Sequence, residues 1–152
     1  MTPITSLGLI RLKENLKNYK EELVRTFDER SAAAAEGDLK ENSAYIFMTE
    51  RAHVLQSQID EASAKIKDAV IIKKPAQTDK VELGHKVKVV FQSDHRELVL
   101  TLVGKDDNAV KPGWISGDSP LGIAILGMSA GDSVIVNENM VKILEITQGD
   151  IE

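Results

Sequence analysis

Two ladders of mainly apolar residues, each rising in alternating steps of three and four positions, constrain the fold of this chain more than any other feature. The first ladder consists of Leu9, Leu12, Leu16, Tyr19, Leu23, Thr26, Arg30 and Ala33. The second consists of Met48, Ala52, Leu55, Ile59, Ala62, Ile66 and Ala69. This spacing places each ladder on one seam of a helix, and an apolar seam is unstable when it faces water. Because the connection is short, we expect an antiparallel helical hairpin with residues 37–42 at its far end.

The hairpin is predicted to be long and thin. Its first helix should span about residues 6–36, with Thr5 as the N-cap and Gly37 at the helix end, and its second helix about residues 42–69. At ~1.5 Å per residue the first helix would be roughly 45 Å long. Since such an arm has little interior in which to bury a substrate, we expect its function to depend on what its far end can reach.

The pattern changes after residue 78. Strand-like segments occur at residues 86–91, 97–103, 132–136 and 141–146. Between the two pairs, Ser119 at an N-cap, Pro120 at the first helical position and Gly127 beyond the end indicate a short apolar helix.

These segments predict an α+β protein, in which an N-terminal antiparallel α-helical coiled-coil hairpin precedes a C-terminal antiparallel sheet with one short helix. The predicted organisation is an arm over residues 1–74, a linker over 75–78 and a C-terminal domain over 79–152.

Composition narrows the classes of function. The chain has no cysteine, which excludes disulfide scaffolds and zinc–thiolate sites. It has no apolar run of the ~20 residues that a membrane span requires and no signal-peptide pattern, so we expect a cytoplasmic protein without a membrane partner. Residues 1–74 are electrically neutral, and residues 75–152 carry the whole net charge of −5. Because no basic face is evident, a protein partner is favoured over direct binding of nucleic acid.

Three segments in order resemble the bacterial Gre transcript-cleavage factors. Residues 5–8, Thr-Ser-Leu-Gly, are similar to the opening of that family. Residues 37–45, Gly-Asp-Leu-Lys-Glu-Asn-Ser-Ala-Tyr, are close to its tip signature. Residues 115–121, Ile-Ser-Gly-Asp-Ser-Pro-Leu, are similar to its C-terminal docking segment. The resemblance therefore extends over almost the whole chain.

The resemblance implies an FKBP-like C-terminal domain that docks on RNA polymerase at the rim of its secondary channel, through Asp118, Ser119 and Pro120. The coiled-coil arm would enter the channel and bring its tip near the 3′ end of the nascent RNA. There Asp38 and Glu41 would help the polymerase to hold a second Mg²⁺, and backtracked RNA would be cut. The catalytic centre belongs to the polymerase, so the implied protein is a monomeric factor, not an enzyme, and binds no cofactor stably by itself.

The residues alone leave two interpretations of the tip acids open. Asp38 and Glu41 are three positions apart, so their carboxylates can project to the same side of a helix start, and Mg²⁺ is often held by one or two carboxylates. Acids at a helix N-terminus also complement the helix macrodipole without binding any metal. Spacing alone favours the second interpretation, and the resemblance favours the first.

Departures from the family pattern suggest an alternative function. Ala44 stands where the family usually has an acid, and alanines occupy residues 33–35, where many cleavage factors carry bases that contact RNA. After the tip the first base is Arg51. The alternative is therefore a regulator of the same fold that occupies the channel with weak cleavage stimulation or none. Ile123 and Met128 also stand where the family commonly has bases, which predicts a more apolar docking surface.

Other hypotheses come from other classes of protein. A peptidyl-prolyl isomerase needs a wide pocket lined by aromatic side chains, and the C-terminal domain offers only Phe91 and Trp114. A coiled-coil dimerisation module would pair its seams between chains instead of within one. Trp114 is expected to be a core or interface residue, and Phe47 is expected to pack against Phe27 or neighbouring helix residues.

Overall fold

The computed structural model describes residues 1–36, 42–108 and 110–152. The elements follow in the order β1 (Thr2–Ile4), α1 (Ser6–Ala35), α2 (Ser43–Asp68), β2 (Ala69–Ile71), β3 (His85–Phe91), β4 (Arg96–Val103), a 3₁₀ turn (Lys105–Asp107), β5 (Trp114–Ser116), α3 (Pro120–Ile125), β6 (Ser133–Val136) and β7 (Asn139–Gln148). They form two compact units, one made of Met1–Leu9 with Ala69–Glu152 and the other of Ile10–Asp68. The predicted boundaries at residues 74 and 79 stay predictions.

The two long helices have the bounds and the buried seams that the sequence predicts. Every member of the first ladder is buried or half-buried, and in the second the residues at 52, 55, 59 and 62 are buried. Cross-helix contacts are antiparallel, because Glu22 pairs with Arg51 and the carbonyl of Ala33 with Asn42. The seams are therefore covered within one chain.

The C-terminal sheet has five strands in the order β5-β4-β3-β7-β6. Alternation in β3 explains its placement, because Val87 and Val89 are buried while Lys86 is exposed. The core of this unit joins these valines to inward residues of neighbouring strands and to Ile125 of α3, and it includes Leu100, Leu102, Val141, Ile143 and Ile146.

The sheet differs from the predicted antiparallel one in two respects. Strand β5 runs parallel to β4, and a separate two-stranded parallel sheet pairs β1 with β2. Each of these added strands has three residues. Three residues are too few for a period of two to be visible, and the segment that forms β2 resembles a helix exit. The sheet is therefore mixed.

A buried carboxylate holds the first turn of α1. Asp107 Oδ2 accepts hydrogen bonds from the backbone N–H groups of Thr5 (2.9 Å) and Gly104 (3.0 Å), and Asp107 Oδ1 accepts one from Thr5 Oγ1 (2.6 Å). Thr5 Oγ1 in turn accepts a hydrogen bond from the N–H of Gly8 at 3.0 Å, so the predicted N-cap is confirmed. A side chain at Gly8 would overlap Asp107 Oδ1, which explains the glycine.

Replacement of Asp107 by alanine is expected to lower the free energy of unfolding by about 2–4 kcal/mol, because three buried donors lose their acceptor. Urea denaturation followed by circular dichroism measures the change. The matched control is Asp79→Ala, at an exposed aspartate of the same unit. Equal stability of the two variants would contradict the assigned role.

Candidate functional site

Among the described residues, the side chain of Asn42 links the two helices beside segment 37–41. Asn42 Nδ2 donates a hydrogen bond to the carbonyl oxygen of Ala33 at 2.6 Å, and Asn42 Oδ1 accepts one from the N–H of Tyr45 at 3.1 Å. The first bond joins the last turn of α1 to the start of α2, and the second satisfies one of the free donors at the N-terminus of α2. Asn42 is therefore both a helix cap and a link between the helices.

The predicted tip acids, Asp38 and Glu41, lie outside the described residues. Their common orientation and their Mg²⁺-binding role stay predictions. The residues that flank segment 37–41 are described, and the bond between Ala33 and Asn42 joins its two sides.

The sequence pattern places Arg30 in the first ladder but does not identify it as a base of the arm near the tip. The guanidinium of Arg30 lies 5.0 Å from the ring centroid of Phe27 and 5.8 Å from that of Tyr45. Such contacts hold a cation over an aromatic face. The spacing of three between Phe27 and Arg30 was the available signal, because residues three apart on a helix are neighbours. The arm before the tip therefore carries a positioned charge as well as alanines.

The first base after the tip is engaged within the hairpin. Arg51 Nε donates to Glu22 Oε1 at 3.1 Å, and the two side chains are about equally exposed. A partly exposed ion pair of this kind contributes modestly to stability, but it orients the guanidinium toward the other helix. Arg51 is thus held by an ion pair within the hairpin.

Apolar side chains are exposed beside the tip. Phe47 is 61% exposed, so most of its ring faces water, and Ile46 and Phe27 are exposed as well. Phe47 lines a groove between the helices together with Met48 and Thr26. Phe47 lies one position before Met48 of the second ladder, and therefore off the seam.

The predicted docking segment forms the start of α3 in the way the sequence indicates. Ser119 is the N-cap: its Oγ accepts a hydrogen bond from the N–H of Gly122 at 3.1 Å and donates one to the carbonyl oxygen of Ser116 at 2.6 Å. Pro120 is the first residue of the helix, and Asp118 is exposed just before the cap. A side chain at Gly122 would overlap the Ser116 carbonyl oxygen, so the tight turn requires glycine there. The segment is therefore rigid and presents its carboxylate outward.

A cavity of about 250 Å³ adjoins this segment. Its lining combines apolar side chains with one acid and one base, and includes Pro3, Leu83, Val103, Lys105, Asp118 and Leu126. None of the residues lining this cavity is aromatic.

The described histidines do not form a ligand cluster. His85 is buried, accepts a hydrogen bond at Nδ1 from the N–H of Glu82 at 2.9 Å, and has its Nε2 2.7 Å from the carbonyl oxygen of Gln77. Among residues 1–36, 42–108 and 110–152 no group of three His, Asp or Glu side chains could hold a metal ion. Within the same residues no helix is long and apolar enough to cross a membrane.

Comparison with known proteins gives a consistent result over both parts of the chain. Residues 2–71 match the family described as transcription elongation factor, N-terminal, and residues 76–148 match transcription elongation factor, GreA/GreB, C-term. Transcription elongation factor GreA of Helicobacter hepaticus is 36% identical over 98% of this chain and 95% of its own length. The GreA of Alkalilimnicola ehrlichii is 33% identical over 88% of this chain and 87% of its own. The crystal structure of GreA factor homolog 1 (Gfh1) of Thermus thermophilus aligns with a TM-score of 0.45 at 21% identity, covering 96% of this chain and 98% of that one.

The described residues form a helical hairpin and a unit with a mixed sheet and a short helix, which is an α+β fold. The chain belongs to the Gre family of transcription elongation factors.

Replacement of Asn42 by alanine is expected to destabilise the hairpin by about 1 kcal/mol, since α2 loses its cap and α1 loses a cross-helix bond. Amide hydrogen exchange of α2 measures the effect, and faster exchange near Tyr45 is expected. Ser43→Ala, one position along at an exposed site, is the control. Unchanged protection in the Asn42 variant would contradict the capping role.

Proposed function

We propose that this protein binds RNA polymerase, inserts the tip of its arm into the secondary channel and stimulates Mg²⁺-dependent cleavage of backtracked RNA by the polymerase. The observation that carries the proposal is membership of the Gre family over both parts of the chain, together with two acids in the sequence segment 37–41 that connects α1 to α2. The protein would act as a cofactor of the polymerase rather than as an enzyme, in the cytoplasm where transcription occurs.

The proposed chemistry needs little from the factor itself. In two-metal phosphoryl transfer the ions hold the attacking and leaving oxygens, and a weakly held second ion gains affinity from each added carboxylate. Asp38 and Glu41 would complete the coordination of such an ion in the polymerase and orient its attacking water. The RNA 3′ end would then lie beside the tip, while the C-terminal unit docks through Asp118, Ser119 and Pro120.

The alternative, a regulator that occupies the channel with weak cleavage stimulation or none, is favoured by two observations. Ala44 is exposed in the first turn of α2, where the family pattern predicts an acid. The ion pair of Arg51 with Glu22 also makes this base less available to contact RNA. Both candidates share the docking step and differ in what the tip does after it enters the channel.

Two other classes of function find less support. The cavity beside α3 lacks aromatic lining, and Trp114 is buried in the core, which speaks against a peptidyl-prolyl isomerase pocket. The helix seams are buried within one chain, which favours a monomeric hairpin over pairing between chains.

The double variant Asp38→Asn/Glu41→Gln is expected to lower the rate of transcript cleavage about 10–100-fold without weakening the binding of polymerase, because it removes two metal-supporting charges at constant shape. Cleavage is measured as shortening of labelled RNA in halted, backtracked complexes of the cognate polymerase. The control, Asp28→Asn/Glu50→Gln, removes two exposed charges elsewhere on the arm. Binding without shortening by the unchanged chain would favour the alternative, and absence of binding would overturn the proposal.

A single substitution separates the two candidates further. Ala44→Glu restores the missing acid at an exposed position that the helix macrodipole makes favourable for negative charge. If this absence limits activity, cleavage should rise severalfold in the same assay, whereas the neutral Ala44→Gln should leave it unchanged. An equal response to both substitutions would exclude the acid as the cause.

A further inference from the structure

The end of the hairpin next to segment 37–41 has little buried apolar surface. Among residues 42–51 no residue is buried, and between residues 10 and 36 only Thr26 is. The hydroxyl of Thr26 donates a hydrogen bond to the carbonyl oxygen of Glu22 at 2.8 Å, so this seam position adds little apolar contact. The apolar seam therefore does not by itself determine how the start of α2 lies against α1.

A cation and two aromatic rings occupy this end instead. Half-buried Arg30 stands at a ladder position, with its guanidinium 5.0 Å from the ring centroid of Phe27 on α1 and 5.8 Å from that of Tyr45 on α2. We call these three residues the Arg30 cluster. A leucine at position 30 would give the seam more apolar contact, but apolar packing has no preferred direction. A planar guanidinium over an aromatic face does have one, so the Arg30 cluster orients the ring of Tyr45 as well as holding it.

Tyr45 passes this orientation to the residues beside segment 37–41. Its N–H donates a hydrogen bond to Asn42 Oδ1 at 3.1 Å, and Asn42 Nδ2 donates one to the carbonyl oxygen of Ala33 at 2.6 Å. Arg30 is therefore linked to both sides of the segment, through its own helix to Ala33 and through Tyr45 to Asn42.

We propose that Arg30 is a positioning residue for the proposed cleavage reaction: it fixes the two ends of segment 37–41 and thereby the placement of Asp38 and Glu41 in the active centre of the polymerase. This role rests on the proposed function and deepens it. Arg30 acts through Tyr45 and touches neither RNA nor metal. Because small displacements of supporting groups lower the rate of a metal-assisted step, loss of the cluster should change the Mg²⁺ requirement and leave docking intact.

The first test separates the charge of Arg30 from its place on the seam. Arg30→Leu makes the ladder position apolar, so the unfolding temperature should be unchanged or higher. The rate of transcript cleavage at saturating concentrations of the protein should nevertheless fall about five- to tenfold. The deficit should shrink as Mg²⁺ is raised, because excess ion compensates for poorly placed carboxylates. Affinity for core polymerase, measured by biolayer interferometry, should change less than about twofold.

Two matched variants complete this test. Arg30→Lys keeps a cation near the rings and should lower the cleavage rate less than about threefold. Arg25→Leu removes an exposed arginine from the same helix and should change the rate less than about twofold. A fall in the unfolding temperature of Arg30→Leu that parallels its loss of activity would make Arg30 a merely stabilising residue and contradict the positioning role.

A double-mutant cycle tests whether Arg30 acts through Tyr45. Tyr45→Leu should lower the cleavage rate about as much as Arg30→Leu, and the double variant should lose no more than either one alone. Additive losses would show that Arg30 contacts RNA or polymerase directly, and would overturn the inference.

The Arg30 cluster can also be tested in the free protein. The NMR signals of the Tyr45 ring protons should shift in Arg30→Leu and keep their positions in Arg25→Leu, because only Arg30 lies near that ring. Unchanged ring signals in Arg30→Leu would sink the positioning role.

The outcomes separate this inference from the proposed function. If the unchanged chain stimulates cleavage and Arg30→Leu does so equally well, the positioning role falls and the proposed function stands. If the unchanged chain binds polymerase without stimulating cleavage, both fall.

Discussion

The structure depends on one buried carboxylate that gathers donors from two distant parts of the chain. The Asp107 carboxylate accepts hydrogen bonds from the N–H and the hydroxyl of Thr5 and from the N–H of Gly104. All three donors lie in its own unit. Without this acceptor the start of α1 would bury unsatisfied donors, a cost comparable to a large part of the stability of a small domain. The absence of a side chain at Gly8 leaves room for the carboxylate. The family-like opening at residues 5–8 thus has a physical explanation.

Much of the fold could be predicted from the sequence because its signals are local. The two ladders repeat over many turns, and the start of α3 carries a serine cap, a proline and a close glycine within a few residues. The four main strands are rich enough in aliphatic and β-branched residues to be located, and in the structure β3, β4 and β7 are longer than predicted by one or two residues at an end, whereas β6 is one residue shorter. Of the candidate site, the conformation of residues 118–120 follows from the same local signals.

The features that escaped prediction are short or non-local. Strands β1, β2 and β5 have three residues each, and β1 finds its partner far along the chain. Asp107 stands in a segment whose composition indicates a polar turn, and nothing near it in sequence identifies Thr5 as its donor. The exposure of Phe47 could have been read from the ladder, because Phe47 lies beside Met48 and outside the seam. The role of the tip acids depends on a polymerase, so this chain alone does not determine it.

The pairing of β1 with β2 has a topological consequence. The chain enters the hairpin after Ile4 and returns at Ala69, and these flanking strands lie side by side in parallel register. The arm is therefore an insertion into the C-terminal unit, with both of its ends anchored at neighbouring points. One heptad added to each helix would keep the seams in register and lengthen the hairpin by about 10 Å. Reach could thus diverge among relatives, or be engineered, with the unit that carries α3 left untouched.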